Sequence, residues 1–256
     1  MFSGDDEIWL KNAHPSLKLV NNRTGIVGRL QIDMLYNEST NKYTLSPKDS
    51  AKLQPGVIYI VDDYMLEIEW PSGQAYPKCF EIDGKIEEVS KRRGVKLGGD
   101  MHINPTSNLM RTGDFCLAAP QEIELAFGKG FTLQIYIDKF VIPFLFLQSH
   151  YSKTGLWAWR TEGHGLAGVF SWYNSKYDQC DTEVAKKLTI QHAYRNMLVG
   201  IKRDELLARL LRGPYKGHMP CLCQFGAPHK IRNCCPEALY GLNRLRKEMI
   251  NTLLGK

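Results

Sequence analysis

The 256-residue chain reads as an α+β protein: β-rich segments separated by turn residues come first, helical apolar spacing follows, and four cysteines crowd near the C-terminus. Strands followed by helices predict an antiparallel sheet with the helices gathered on one side of it, because parallel sheets need a helix between successive strands. With 43% hydrophobic and 23% charged residues, the composition is that of a globular chain able to bury a core without staples.

The elements follow in order. Met1 to Glu7 is acidic and no apolar run comes after it, so no secretory leader is read and a cytoplasmic location is expected. Residues 26–36, 57–61, 64–70 and 79–82 are rich in β-branched and aromatic side chains and are expected to form a four-stranded antiparallel meander spanning 25–88. Turn residues at 37–41, 71–74 and 83–84 allow neighbouring strands to pair directly. Residues 91–111, rich in Gly, Pro, Asn and Ser, read as extended irregular chain, the kind of long loop that carries function. A helix opens at 120–124, and 131–151 reads as buried helix. Its Gln134, Asp138, Lys139 and Pro143 argue against a membrane span. Helical spacing returns over 186–211. The expected domains are 1–175, a helical extension at 176–213, and a cysteine-rich module with a C-terminal helix at 214–256.

Net charge is +6, from 33 basic and 27 acidic residues interleaved along the chain. Basic runs such as Lys91-Arg92-Arg93 and Lys202-Arg203 are short and read as solvated surface, so nucleic acid is not the expected partner. No G-x-x-x-x-G-K-[ST] loop is present to cradle phosphates. Of seven cysteines, Cys79, Cys116 and Cys180 stand alone, whereas four lie between 221 and 235; in a reducing compartment that pattern means a metal site plus individual thiols.

The isolated thiol of most interest is Cys116, in Gly113-Asp114-Phe115-Cys116-Leu117, preceded by His102-Ile103-Asn104-Pro105. This pairing of His-x-Asn with Gly-x-x-Cys-Leu after a meander resembles the active-site stretch of ubiquitin-conjugating enzymes, over roughly residues 25–173. Ile103 stands where the eukaryotic family has Pro, and the His-to-Cys interval is a few residues longer. The nearer likeness is to divergent bacterial members found beside ubiquitin-like proteins or cyclic-oligonucleotide synthases in anti-phage operons, some of which also share Gly155-Leu156-Trp157-Ala158-Trp159 ahead of His164-Gly165. The resemblance implies a ubiquitin-conjugating-enzyme-like fold and a catalytic domain over 1–175. It also implies a thioester on Cys116, an oxyanion role for Asn104, and a loop-shaping role for His102. The implied partners are an activating enzyme, the C-terminus of a ubiquitin-like protein or cyclic-oligonucleotide synthase, and an acceptor amine. No cofactor takes part in the transfer. Trp157, Trp159 and Trp172 read as a packed aromatic cluster rather than a pocket edge.

Cys221-Leu222-Cys223, a ten-residue loop from Gln224 to Asn233, and Cys234-Cys235 supply four thiols within fifteen positions, which suits a tetrahedral zinc site closed to catalysis. Lys230 and Arg232 offset the charge of four thiolates, and His229 is an alternative to one of the adjacent pair. The pattern resembles the SEC-C zinc motif, which implies a structural or docking role. Two rival readings of the whole chain remain. An inert binding module of the same fold tolerates a buried Cys116, whereas a Cys-His hydrolase needs His102 or His164 within hydrogen-bond reach of it.

Overall fold

The computed structural model describes residues 1–52, 54–98, 100–104, 113–159, 165–178, 182–197, 212–223 and 229–253. The chain is α+β, and its contacts group into two units: Met1–Leu117 with Phe127–Arg160, and Ala118–Ala126 with Thr161–Lys256. The boundary expected after residue 175 therefore falls within the second unit.

In the first unit, helix α1 (Gly4–Ala13) precedes strands β1 (Leu17–Val20), β2 (Gly25–Asn37) and β3 (Lys42–Leu45). A short helix α2 (Asp49–Lys52) leads to β4 (Val57–Glu69), β5 (Lys78–Glu81) and helix α3 (Lys85–Arg93). All strand pairs are antiparallel, in the order β1-β2-β4-β5, with β3 on β2 as well. One edge of β2 pairs with β4 from Gly25↔Glu69 to Asn37↔Val57, while β1 and β3 share its other edge. Alternation decides the faces: Ile26, Leu30, Ile32, Met34 and Tyr36 of β2 and Ile60, Tyr64, Leu66 and Ile68 of β4 are buried.

The sheet differs from the expected meander in three ways. Segments 57–61 and 64–70 form one strand, because Asp62 and Asp63 between them find partners instead of turning the chain. Asp63 pairs with Arg29, its diagonal neighbour on β2. Asp62 accepts from Lys85 Nζ at 2.5 Å and Ser149 Oγ at 2.7 Å. The strands β1 and β3 join the sheet from outside the expected set. The expected turn-and-loop chain after 83 contains α3, whose Ile86, Val89 and Ser90 form a buried face at helical spacing, and whose last turn places Lys91, Arg92 and Arg93 at the negative dipole end before a left-handed Gly94.

The inner face of the sheet receives the expected buried helix as three pieces: α5 (Leu133–Tyr136), a π turn (Ile137–Val141) and α6 (Ile142–Thr154). Pro143 cannot donate to the carbonyl of residue 139, and the wide turn just ahead of it absorbs the lost bond. Ile142–Ser149 of α6 are buried without a break. Tyr64 shares its hydroxyl with Ser149 at 2.8 Å, joining β4 to α6 inside the core.

The second unit contains α4 (Pro120–Ala126), α7 (Gly165–Lys176), α8 (Thr182–Met197), α9 (Ile231–Cys234) and α10 (Pro236–Leu253). Its core joins Phe170, Trp172 and Tyr173 to Ala238, Leu242 and Leu245. α7 and α10 approach so closely at Gly241 that a Cβ there would stand 1.9 Å from the Phe170 carbonyl oxygen. Helical spacing over 186–211 is observed within α8, and 198–211 lies outside the described residues. Among the described residues no helix is long and apolar enough to cross a membrane.

Candidate functional site

Two sulfur sites stand out, one in each unit. In the first, Ile103 and Phe115 form an antiparallel bridge. Asn104 N donates to the Asp114 carbonyl at 2.8 Å, and Cys116 N to the His102 carbonyl at 2.8 Å. Phe115 N donates to the Cys79 carbonyl at 2.8 Å, which hangs the pair on β5. Gln148 Nε2 holds the approaching chain through the Met101 carbonyl at 2.8 Å. In this short ladder Ile103 and Phe115 point inward, and Phe115 stacks on Phe144 of α6 with ring centroids 4.5 Å apart. The alternate residues face the other way, so Cys116 is half-buried and Asn104 exposed. His102, Asn104 and Cys116 are thus brought onto one two-rung frame, although residues 105–112 between them lie outside the described residues.

Two backbone features make the frame possible. A Cβ on Gly113 would stand 1.6 Å from the Asn104 carbonyl oxygen, so only glycine fits there. His102 adopts a left-handed φ of 55°, uncommon for a residue with a side chain, and its ring meets Trp157 edge to face with centroids 5.6 Å apart. Trp157 in turn stacks on Tyr151, and Trp159 on Phe146. These two belong to a packed aromatic cluster of the first unit, while Trp172 lies in the second, where Nε1 donates to Glu122 at 2.7 Å.

Two charged residues that motif reading does not single out complete the frame. Asp114 Oδ2 accepts from Asn104 Nδ2 at 2.9 Å, and Asp114 Oδ1 lies 3.1 Å from Lys78 Nζ. Burial, and then the negative charge of Asp114, push the Cys116 thiol above its ordinary pKa. Cys79 beneath it is fully buried, and burial pushes its thiol up too. Cys180 and His164 lie outside the described residues. Among the described residues no imidazole donates to or accepts from the Cys116 sulfur.

At the second site the Sγ atoms of Cys221, Cys223, Cys234 and Cys235 all lie within 4.8 Å of one another. A bridge between Pro220 and Lys230 brings the two ends of the loop together, with Cys221 N donating to the His229 carbonyl at 2.7 Å and Ile231 N to the Met219 carbonyl at 2.9 Å. The α9 turn then carries Cys234 and Cys235 back over Cys221 and Cys223. Leu222 and Ile231 anchor the knuckle in the core of the second unit. His229 contributes its carbonyl, and both adjacent cysteines belong to the four-sulfur group.

The donor set fits a soft cation. Four sulfurs about 2.3 Å from a tetrahedral ion stand about 3.8 Å apart, close to the observed 3.4 Å between Cys223 and Cys234 and 3.7 Å between Cys234 and Cys235. Burial and the adjoining thiols of Cys223 and Cys221 push Cys234 up to about 11, and burial with Cys221 pushes Cys235 up as well. Cys234 and Cys235 thus hold their protons more tightly than free thiols; a cation at the centre of the four sulfurs reverses that preference. The four cysteines can hold a metal ion.

Comparison of the chain with protein-family models, curated proteins and solved structures finds no significant match.

Proposed function

We propose that the chain is a ubiquitin-conjugating-type acyl carrier of bacterial anti-phage defence, with a ubiquitin-conjugating-enzyme-like fold, acting in the cytoplasm. Cys116 accepts the C-terminal carboxyl group of a ubiquitin-like protein, or of a cyclic-oligonucleotide synthase, from an activating enzyme that consumes ATP. It then passes that group to an amine of an acceptor protein. The observation that carries this reading is the hydrogen-bonded pairing of 102–104 with 114–116 at the edge of an antiparallel sheet, which sets Asn104 and Cys116 on one frame.

The chemistry follows from the thiol. The sulfur loses its proton, attacks the activated carbonyl and displaces the group through which the activating enzyme holds it. An amine then attacks the thioester carbonyl, Asn104 donates to the oxyanion, and the carbon–sulfur bond breaks to return the thiol. The raised thiol holds its proton between cycles, and expelling its thiolate is correspondingly harder in discharge to an amine and in loss to water alike. A Cys-His hydrolase needs an imidazole in reach of the sulfur, and of its two candidates His164 lies outside the described residues. A zinc ion held by Cys221, Cys223, Cys234 and Cys235 serves structure, since four thiolates leave no open position.

Loading tests the reading: with a ubiquitin-like protein, its activating enzyme and ATP, the parent chain is expected to give an adduct cleaved by thiols. Cys116→Ser is expected to give either none or one stable to thiols. A thiol-sensitive adduct on Cys116→Ala overturns the assignment and turns attention to Cys79 and Cys180. Absence of any adduct with the parent chain favours the inert binding module.

A further inference from the structure

The frame around Cys116 contains one side chain that the transfer chemistry does not itself require, yet which contacts both the Asn104 carboxamide and the Lys78 ammonium. We propose that Asp114 is the positioning residue of this site: its carboxylate, held by Lys78 on one oxygen, fixes the Asn104 carboxamide with the other and keeps a negative charge beside Cys116. The inference rests on the reading of Cys116 as an acyl carrier and deepens it.

The geometry assigns the two oxygens separate duties. Lys78 Nζ at 3.1 Å from Oδ1 fixes the carboxylate from the β5 side, and Oδ2 is left to accept Asn104 Nδ2 at 2.9 Å. The two backbones are already tied by Asn104 N donating to the Asp114 carbonyl at 2.8 Å, so the side-chain bond closes a ring that an exposed Asn could not hold by itself. A carboxylate accepts only from the amide nitrogen, never from its oxygen, so this bond removes the amide flip. One Nδ2 proton is thereby committed and the other stays available to a developing oxyanion. Asp114 is itself largely enclosed, with its side chain 16% exposed, so its charge is screened less than that of a surface carboxylate.

The charge has its own effect on the sulfur. Among the described residues, the charged and titratable groups about it are Asp114, Lys78 through Asp114, His102 through the Cys116 N–H to the His102 carbonyl, and the buried Cys79. Of these, Asp114 disfavours the thiolate by like charge, and Lys78 moderates it. Asp114→Asn keeps an acceptor for Asn104 while deleting the charge, Lys78→Met deletes the moderating cation, and Asp114→Ala deletes charge and acceptor together. The proposal therefore predicts opposite displacements for neighbouring substitutions, which a merely structural residue does not produce.

The test is the pH profile of iodoacetamide alkylation of the full-length chain, read by mass spectrometry on the Cys116 peptide. The midpoint of Asp114→Asn is expected to fall by about half a pH unit, or about threefold in thiolate fraction, and that of Lys78→Met to rise. In the loading assay, Asp114→Asn is expected to load and to discharge to amines at or somewhat above the parent rate, since its thiolate leaves more readily. Asp114→Ala is expected to load but discharge about tenfold more slowly, less than the roughly 10²–10³-fold cost of removing an oxyanion donor outright, because it only loosens Asn104. Coincident alkylation profiles for parent, Asp114→Asn and Lys78→Met overturn the proposal, whether or not Cys116 loads. Displaced profiles on a chain that never loads leave the electrostatic assignment standing and overturn the carrier reading instead.

Discussion

The two sulfur sites are built by opposite means. Around Cys116 the work is done by backbone and core: four hydrogen bonds of 2.8 Å, an inward Phe115 stacked on Phe144, and a single half-buried thiol displayed on the far side. The cysteine knuckle sets Leu222 and Ile231 in an apolar core and draws four sulfurs within 4.8 Å of one another, with the Cys234 and Cys235 thiols pushed up by burial and by their neighbours. The first frame is held by hydrogen bonds and packing, whereas the second gathers four thiols that can hold a metal ion.

The largest expected effect separates them directly. Purified without chelator, the chain is expected to carry about one zinc by elemental analysis. Chelation, or Cys223→Ser, is expected to remove on the order of 10 kcal/mol of folding free energy from the knuckle. Hydrogen exchange should then show 212–235 losing protection while β4 keeps it; equal loss in both units would break the contrast.

Next come two glycine-to-alanine exchanges. Gly113→Ala drives a methyl into the Asn104 carbonyl and is expected to cost about 2–4 kcal/mol or to spring the frame open, read by denaturant unfolding and by faster alkylation of Cys116. Gly241→Ala meets a similar carbonyl in the helical unit, but a mid-helix alanine returns about 1 kcal/mol of backbone entropy, so the loss is expected to be smaller. Ser149→Ala strands the Tyr64 hydroxyl and weakens Asp62, for about 1–3 kcal/mol.

A further expected effect is a drift of stability with pH. Burial, and then Asp83, push Glu81 up to about 7, so in the folded chain it keeps a proton that the unfolded chain gives up near 4.5. A raised carboxyl means the native state binds more protons in that window, so stability of the sheet unit falls as pH climbs from about 4.5 to 7. Glu81→Gln is expected to flatten that slope in melts across the window.

Legibility in the sequence followed the range of the physics. Spacing of Cys221, Cys223, Cys234 and Cys235 is local, and the sulfurs do converge. Period-two burial made β2 readable, and the buried run through 131–151 made α6 readable. Asp62-Asp63 looked like a break because two carboxylates in a strand are costly unless paired, and their partners Arg29, Lys85 and Ser149 lie 23 to 87 positions away. β1 and β3 are four residues each, too short for a pattern, and are held by the edge of β2. Asp114 was overlooked for the same reason as Asp62, since Lys78 reaches it from 36 positions upstream.

That the first unit is interrupted, with residues 118–126 belonging to the other, bears on how the chain is born. The strands leave the ribosome first, and their inner face of Ile26, Leu30, Ile32, Ile60, Leu66 and Ile68 has no cover until α6 at 142–154 has been synthesised. Until then Phe115 has no Phe144 to stack on, and the ladder that presents Cys116 lacks its floor. Nascent chains stalled near residue 120 should be recognised as unfolded by chaperones that bind apolar strands, and those stalled beyond the tunnel length past 154 should not. Cys116 thus lacks its finished frame until the scaffold behind it has been sealed.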